Sequence, residues 1–293
     1  MSCPDCFRGG VTTIHPTGTE TTIHGVPTYV AQPDEAVTPK GIVVVITDAF
    51  GWKFANNRVL SDHLAKRGGF LVYCPDFMKG SALDPVAIGL MDKIIEPTSW
   101  FNTIVYKPIW VFQALVVAVP WKLKTKIPAT HPGVISFFQA LRTSPPPYPT
   151  DTLKVGAAGY CYGGKHAFLL AHDKPETRVV RHESQKESTK DLPLIDCAFS
   201  AHPSLLELPV DVDAVALPLS VVVGDKDAVL KAPEAQKTKD ILEAKGVGSY
   251  EVKILQGAKH GFAIRPHPED KEELEFAETA EVQAIEWFKR WFA

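Results

Sequence analysis

Gly159-Tyr160-Cys161-Tyr162-Gly163-Gly164 is the stretch on which the fold turns. It follows the run Leu153-Lys-Val-Gly-Ala-Ala158, which reads as a strand, and opens a helical pattern from Gly163 to Ala171. A side chain at the apex of a sharp strand-to-helix turn takes strained dihedrals. Its neighbours two positions away must lack side chains to permit close approach. Gly159 and Gly163 meet that requirement around Cys161. A helix N-terminus beneath the thiol favours the thiolate, and free N–H groups there can hold an oxyanion. The same glycines also fit a structural cysteine in a βα turn of another doubly wound fold. A phosphate loop fits less well, because Gly159–Lys165 lacks that loop's spacing and its following Ser or Thr.

Two downstream segments bear on the choice. Val221-Val-Val-Gly224-Asp225-Lys226-Asp227 is an apolar strand ending in glycine and two acids, and functional groups gather at the carboxyl ends of strands in open α/β sheets. Asp227 lies further beyond the strand end and is favoured as an orienting acid; Asp225 suits a turn or cap. Leu255-Gln-Gly257-Ala-Lys-His260-Gly261-Phe262 then sets a histidine just after another strand. Nucleophile, acid and base thus follow in the chain order of α/β-hydrolases.

The rest of the chain alternates short β-branched runs with helical patterns, which predicts a mostly parallel, doubly wound sheet covered by helices. Strands are expected at 42–46, 70–73, 153–158, 195–200, 217–223 and 250–255. Helices are expected at about 56–66, 135–141, 163–171, 234–244 and 270–291. The polar stretch 173–191 reads as a solvated loop. We expect one domain over 1–293, with an N-terminal extension to about residue 25 and a helical, aromatic insertion at about 84–126. That insertion carries Trp100, Phe101, Tyr106, Trp110, Phe112 and Trp121, either as a lid over an apolar pocket or as packing. Its apolar run is interrupted by Lys107, Pro108 and Pro120, so the remainder is expected to be too short to span a bilayer.

The 293 residues are 45% hydrophobic with a formal net charge of -3. No global basic field exists to attract nucleic acid or an anionic membrane. Five cysteines without framework spacing suit reduced thiols in a cytoplasmic setting, and no leader or lipidation motif is visible. Cys3 and Cys6 have metal-like spacing, with His15 and His24 as distant further ligands; an ordinary turn is the expected reading, with no metal and no cofactor. A monomer or homodimer is expected.

These pieces together resemble the dienelactone hydrolase family of α/β-hydrolases. The resemblance rests on Gly159–Gly164, Gly224–Asp227 and His260-Gly261-Phe262, with Asp48-Ala49-Phe50-Gly51 and Cys74-Pro75-Asp76. It covers nearly the whole chain. The opening Cys3-Pro-Asp-Cys6-Phe-Arg-Gly is similar to a fungal branch of the family. The resemblance implies a Cys161–His260–Asp227 triad and an oxyanion hole from the Ala49 and Tyr162 N–H groups. It also implies an acid, here Asp48 where the family has Glu, that contacts the resting thiol. Arg265 is implied as a grip for a substrate carboxylate, and Phe50 and Trp110 are further candidate substrate contacts. The expected reaction is hydrolysis of a small ester or an enol or diene lactone through a thioester acyl-enzyme. The alternatives are a cyclase, isomerase or lyase step on a polyketide-like substrate, or a binding module with a vestigial triad.

Overall fold

The computed structural model describes residues 9–35, 37–95, 98–186, 188–246 and 248–293. The chain enters through a hairpin, β1 (Thr19–Ile23) and β2 (Val26–Ala31), which forms the antiparallel edge of an eight-stranded sheet. Then come β3 (Ile42–Ile46), α1 (Ala55–Gly68), β4 (Leu71–Pro75), α2 (Val86–Ile95), α3 (Trp100–Lys124) and α4 (Ile127–Thr143). The nucleophile region is β5 (Val155–Tyr160) and α5 (Tyr162–Ala171). After it lie β6 (Val179–Val180), β7 (Asp191–Leu192), β8 (Cys197–Ala201), α6 (Val210–Asp213), β9 (Leu219–Gly224), α7 (Ala232–Lys245), β10 (Tyr250–Leu255) and α8 (Lys271–Phe292). The sheet order is β1-β2-β4-β3-β5-β8-β9-β10, parallel from β4 through β10.

The strand period of two divides β3 between the sheet's faces. Val43 and Val45 join α1 and α8 through Leu64, Ala284 and Phe288 on one face. Ile42, Val44 and Ile46 join α4 and α5 through Phe138 and Phe168 on the other. All five β3 residues are buried, as a strand covered on both faces requires. Parallel order brings the carboxyl ends of β3, β5, β8, β9 and β10 to one rim.

The structure differs from the sequence reading in four places. The hairpin strand β1 lies in the stretch read as an extension, and its exposed residues carried no alternating signal. Helix α4 begins at Ile127, well before residue 135, with Pro128 in its first turn, where the missing N–H would have no helical partner. The polar stretch 173–191 contains a short 3-10 turn and the two-residue pair β6–β7. Helix α3 runs unbroken through Pro108 and Pro120 for 25 residues. Its apolar periodicity continues across both prolines, and the helix lies along α2. By length and composition α3 could cross a membrane, so the shorter span expected from the prolines is corrected. The Cys3–Cys6 turn lies outside the described residues.

Candidate active site

Cys161 joins β5 to α5 with φ 52° and ψ -110°, outside the regions an L-residue prefers. The surroundings enforce this conformation. A Cβ on Gly163 would come within 1.8 Å of the Ile46 carbonyl oxygen, and one on Gly159 within 2.3 Å of the Gly163 oxygen. The Gly163 amide donates to the Thr47 carbonyl at 3.0 Å, tying the elbow to the end of β3.

The thiol faces a histidine carried by the loop after β10. His260 Nε2 lies 3.1 Å from Cys161 Sγ. On the far side of the ring, His260 Nδ1 meets Asp227 Oδ2 at 2.8 Å. Asp227 is itself fixed, its Oδ1 accepting the Val229 and Leu230 amides at 2.7 and 3.1 Å. Asp225 points elsewhere and accepts the Gly257 amide at 2.7 Å. Burial alone would push the His260 pKa down, but the negative charges of Cys161 and Asp227, with their hydrogen bonds, raise it to about 10. That raised value favours a protonated imidazole facing the sulfur. The other described thiols differ: burial pushes Cys74 up to about 12 and Cys197 well above the ordinary range, which keeps both protonated and inert.

Ala49, Cys161 and Tyr162 line a cavity of about 530 Å³. Among the described hydrogen bonds none engages the Ala49 or Tyr162 amide. Trp121, from the last turn of α3, covers this end with its ring edge-on to Tyr162 at 6.2 Å. Lys122 and Lys126 stand at the cavity rim, while Lys165 is held by Asp211 at 2.5 Å.

Arg265 does not line the cavity. Its side chain is fully buried and pairs with Asp48, which also accepts from Asn57 Nδ2 at 2.9 Å and from the Phe50 amide at 3.1 Å. A guanidinium enclosed in this way cannot reach a substrate carboxylate, which corrects the grip expected of it. Burial pushes the Asp48 carboxyl up, Arg265 pulls it down, and the Cys161 charge raises it again. Asp48 therefore senses the thiol electrostatically while its described hydrogen bonds hold Arg265, Asn57 and the loop. Phe50 lies under the Arg265 guanidinium and packs on Phe54. Trp110 stacks on Tyr106 along α3. Neither ring borders the cavity, so both expected substrate contacts are corrected to packing residues.

Two neighbours of the thiol went unread in the sequence. Ser204 Oγ lies 3.3 Å from both Cys161 Sγ and His260 Nε2. His202 is fully buried, its ring 5.0 Å from that of His260 and 5.4 Å from Phe262. Burial lowers its pKa, as does the His260 charge, so it stays neutral beside the imidazolium. The signal was present: Ala201-His202-Pro203-Ser204 leaves the carboxyl end of β8, on the same rim.

A model of the dienelactone hydrolase family matches residues 26–292. Hydrolase tropI of Talaromyces stipitatus is 26% identical over 99% of this chain and 96% of its own length. A carboxymethylenebutenolidase homolog of Xenopus tropicalis is 22% identical over 99% of this chain and 96% of its own. Among solved structures, a dienelactone hydrolase from Anabaena variabilis superposes with a TM-score of 0.55 at 18% identity, covering 94% of this chain and 98% of that one, a likeness of fold.

Proposed function

The chain belongs to the dienelactone hydrolase family of α/β-hydrolases, and we propose that it cleaves a small ester or enol lactone through a thioester on Cys161. The observation that carries this reading is the Cys161–His260–Asp227 line, with spacings of 3.1 and 2.8 Å at the foot of a cavity. The thiolate attacks the acyl carbon, and the Ala49 and Tyr162 amides receive the developing oxyanion. His260, charged and oriented by Asp227, donates its proton to the departing alkoxide or enolate. Neutral again, it accepts a proton from the water that attacks the thioester, which releases the acid product and returns the thiolate facing a protonated His260. Ser204 bridges the sulfur and Nε2 and positions both in the resting enzyme.

The substrate class follows from chemistry and shape. A thiolate expels an enolate or aryloxide far more readily than an amine, so activated esters and enol lactones suit it. The cavity volume holds a ligand of one or two rings, and its Trp121, Ile127 and Tyr162 walls favour an apolar body. The three cysteines among the described residues, all free and buried, suit a reducing, cytoplasm-like compartment.

The test is a panel of aryl esters, enol lactones and diene lactones with wild type and Cys161→Ala in parallel. Turnover with an acyl mass adduct on Cys161 is expected from wild type, and neither from the variant. Turnover that survives Cys161→Ala would overturn the nucleophile; a rearranged rather than hydrolysed product would shift the reading to an isomerase or lyase.

A further inference from the structure

Helix α3 is built inside out. Phe101, Ile104, Phe112, Leu115, Val119 and Leu123 recur at spacings of three, four or eight residues, which aligns them on one face of a 3.6-residue helix. All six are exposed, from 47% at Val119 to 67% at Phe112. The opposite face carries Trp110, Ala114, Val117 and Trp121, which are half-buried towards the body. The apolar stripe runs the whole helix, roughly 37 Å at 1.5 Å per residue. A contiguous exposed apolar face of this kind marks an interaction surface.

The charge around the stripe identifies what covers it. Lys122, Lys124 and Lys126 are exposed at its C-terminal end, and neither α3 nor α4 contains a single carboxylate. A second copy packed on this face would bring basic ends and no acidic groups to the contact. Anionic lipid headgroups would neutralise the lysines while the acyl region takes the stripe. We infer that α3 docks the enzyme in the plane of an anionic membrane surface. Trp121, Lys122, Thr125 and Lys126 also border the catalytic cavity, so docking turns its mouth towards the bilayer. An apolar ester dissolved in lipid then reaches Cys161 without crossing bulk water.

Co-sedimentation with vesicles of phosphatidylcholine alone, and of phosphatidylcholine with phosphatidylglycerol, tests the inference. Wild type is expected to sediment with the anionic vesicles, and Ile104→Glu/Leu115→Glu to partition at least about tenfold less. Each of Lys122→Gln, Lys124→Gln and Lys126→Gln should weaken anionic binding roughly fivefold. The double variant should keep wild-type circular dichroism and wild-type hydrolysis of a water-soluble aryl ester, which separates lost docking from lost folding. Wild type that stays in the supernatant with anionic vesicles would overturn the proposal, as would a double variant that sediments as well as wild type. A wild-type dimer in light scattering that the double variant dissociates would also overturn it, by assigning the face to a second copy.

Discussion

At Cys161 the backbone is held at positive φ because β3, β5 and α5 leave it no alternative, and that rigidity aims the sulfur at His260. Asp227 fixes the ring's tautomer and stabilises its charge, so Asp227→Asn should lower kcat on an aryl ester by roughly 10³- to 10⁴-fold while Tm changes little. Steady-state kinetics and a thermal melt check both halves; a drop of only a few-fold would remove Asp227 from the relay. Arg265 makes the complementary case. Its guanidinium offsets a buried carboxylate, so Arg265→Gln should destabilise the fold by about 3–5 kcal/mol, read from denaturant unfolding. A residue that gripped substrate would instead raise KM and leave the unfolding midpoint in place. The juxtaposition of Cys161, His260 and Asp227 was legible in the sequence because each sits where a strand ends, a position set by local pattern. The partner of Arg265 was not, because Asp48 is 217 residues away and only the assembled sheet brings the two together.

Elements explain why the aromatic insertion was hard to read. Its rings fall into two groups that composition cannot separate. Trp121 reaches the cavity because α3 ends beside α5, whereas Trp110 stacks on Tyr106 further up the helix. Helix phase, about 100° per residue, distributes the ring directions, and the prolines concealed that phase by suggesting a break. Trp121→Ala should therefore open the cavity and raise KM for an aromatic ester about tenfold with kcat less affected, whereas Trp110→Ala should leave both within about twofold. Parallel kinetics on the two variants decide whether the cover over the site is the last turn of α3 or the insertion as a whole. The hairpin edge β1–β2 escaped notice for a related reason. Four of the five β1 residues are exposed, so the strand carries little apolar signal and is defined by pairing with β2.

Across the whole molecule, buried histidines set the pH range in which the fold survives. His131 and His166 meet Nδ1 to Nδ1 at 3.0 Å beneath the site, with Tyr162 and Thr130 beside them. Burial, reinforced by neighbouring positive charge, lowers the His166 pKa to about 3 and that of His131 to about 4. In the unfolded chain both titrate near 6.5. As pH falls below 6.5 the unfolded state takes up protons that the folded state refuses, so stability declines through the interval down to about 4 for His131 and about 3 for His166. His260 acts on the other limb. Its pKa of about 10 means its contribution is complete below 6.5 and is lost as pH rises through 10. Stability should therefore peak between these limits. His166→Gln removes one of the acid-limb groups, and its urea midpoint should fall less steeply between pH 7 and 5 than that of wild type. The difference at pH 5 should be on the order of 2 kcal/mol, measured relative to each protein's own value at pH 7. Parallel curves for the two proteins would mean that His166 takes up its proton in the folded state, and that acid lability arises elsewhere in the chain.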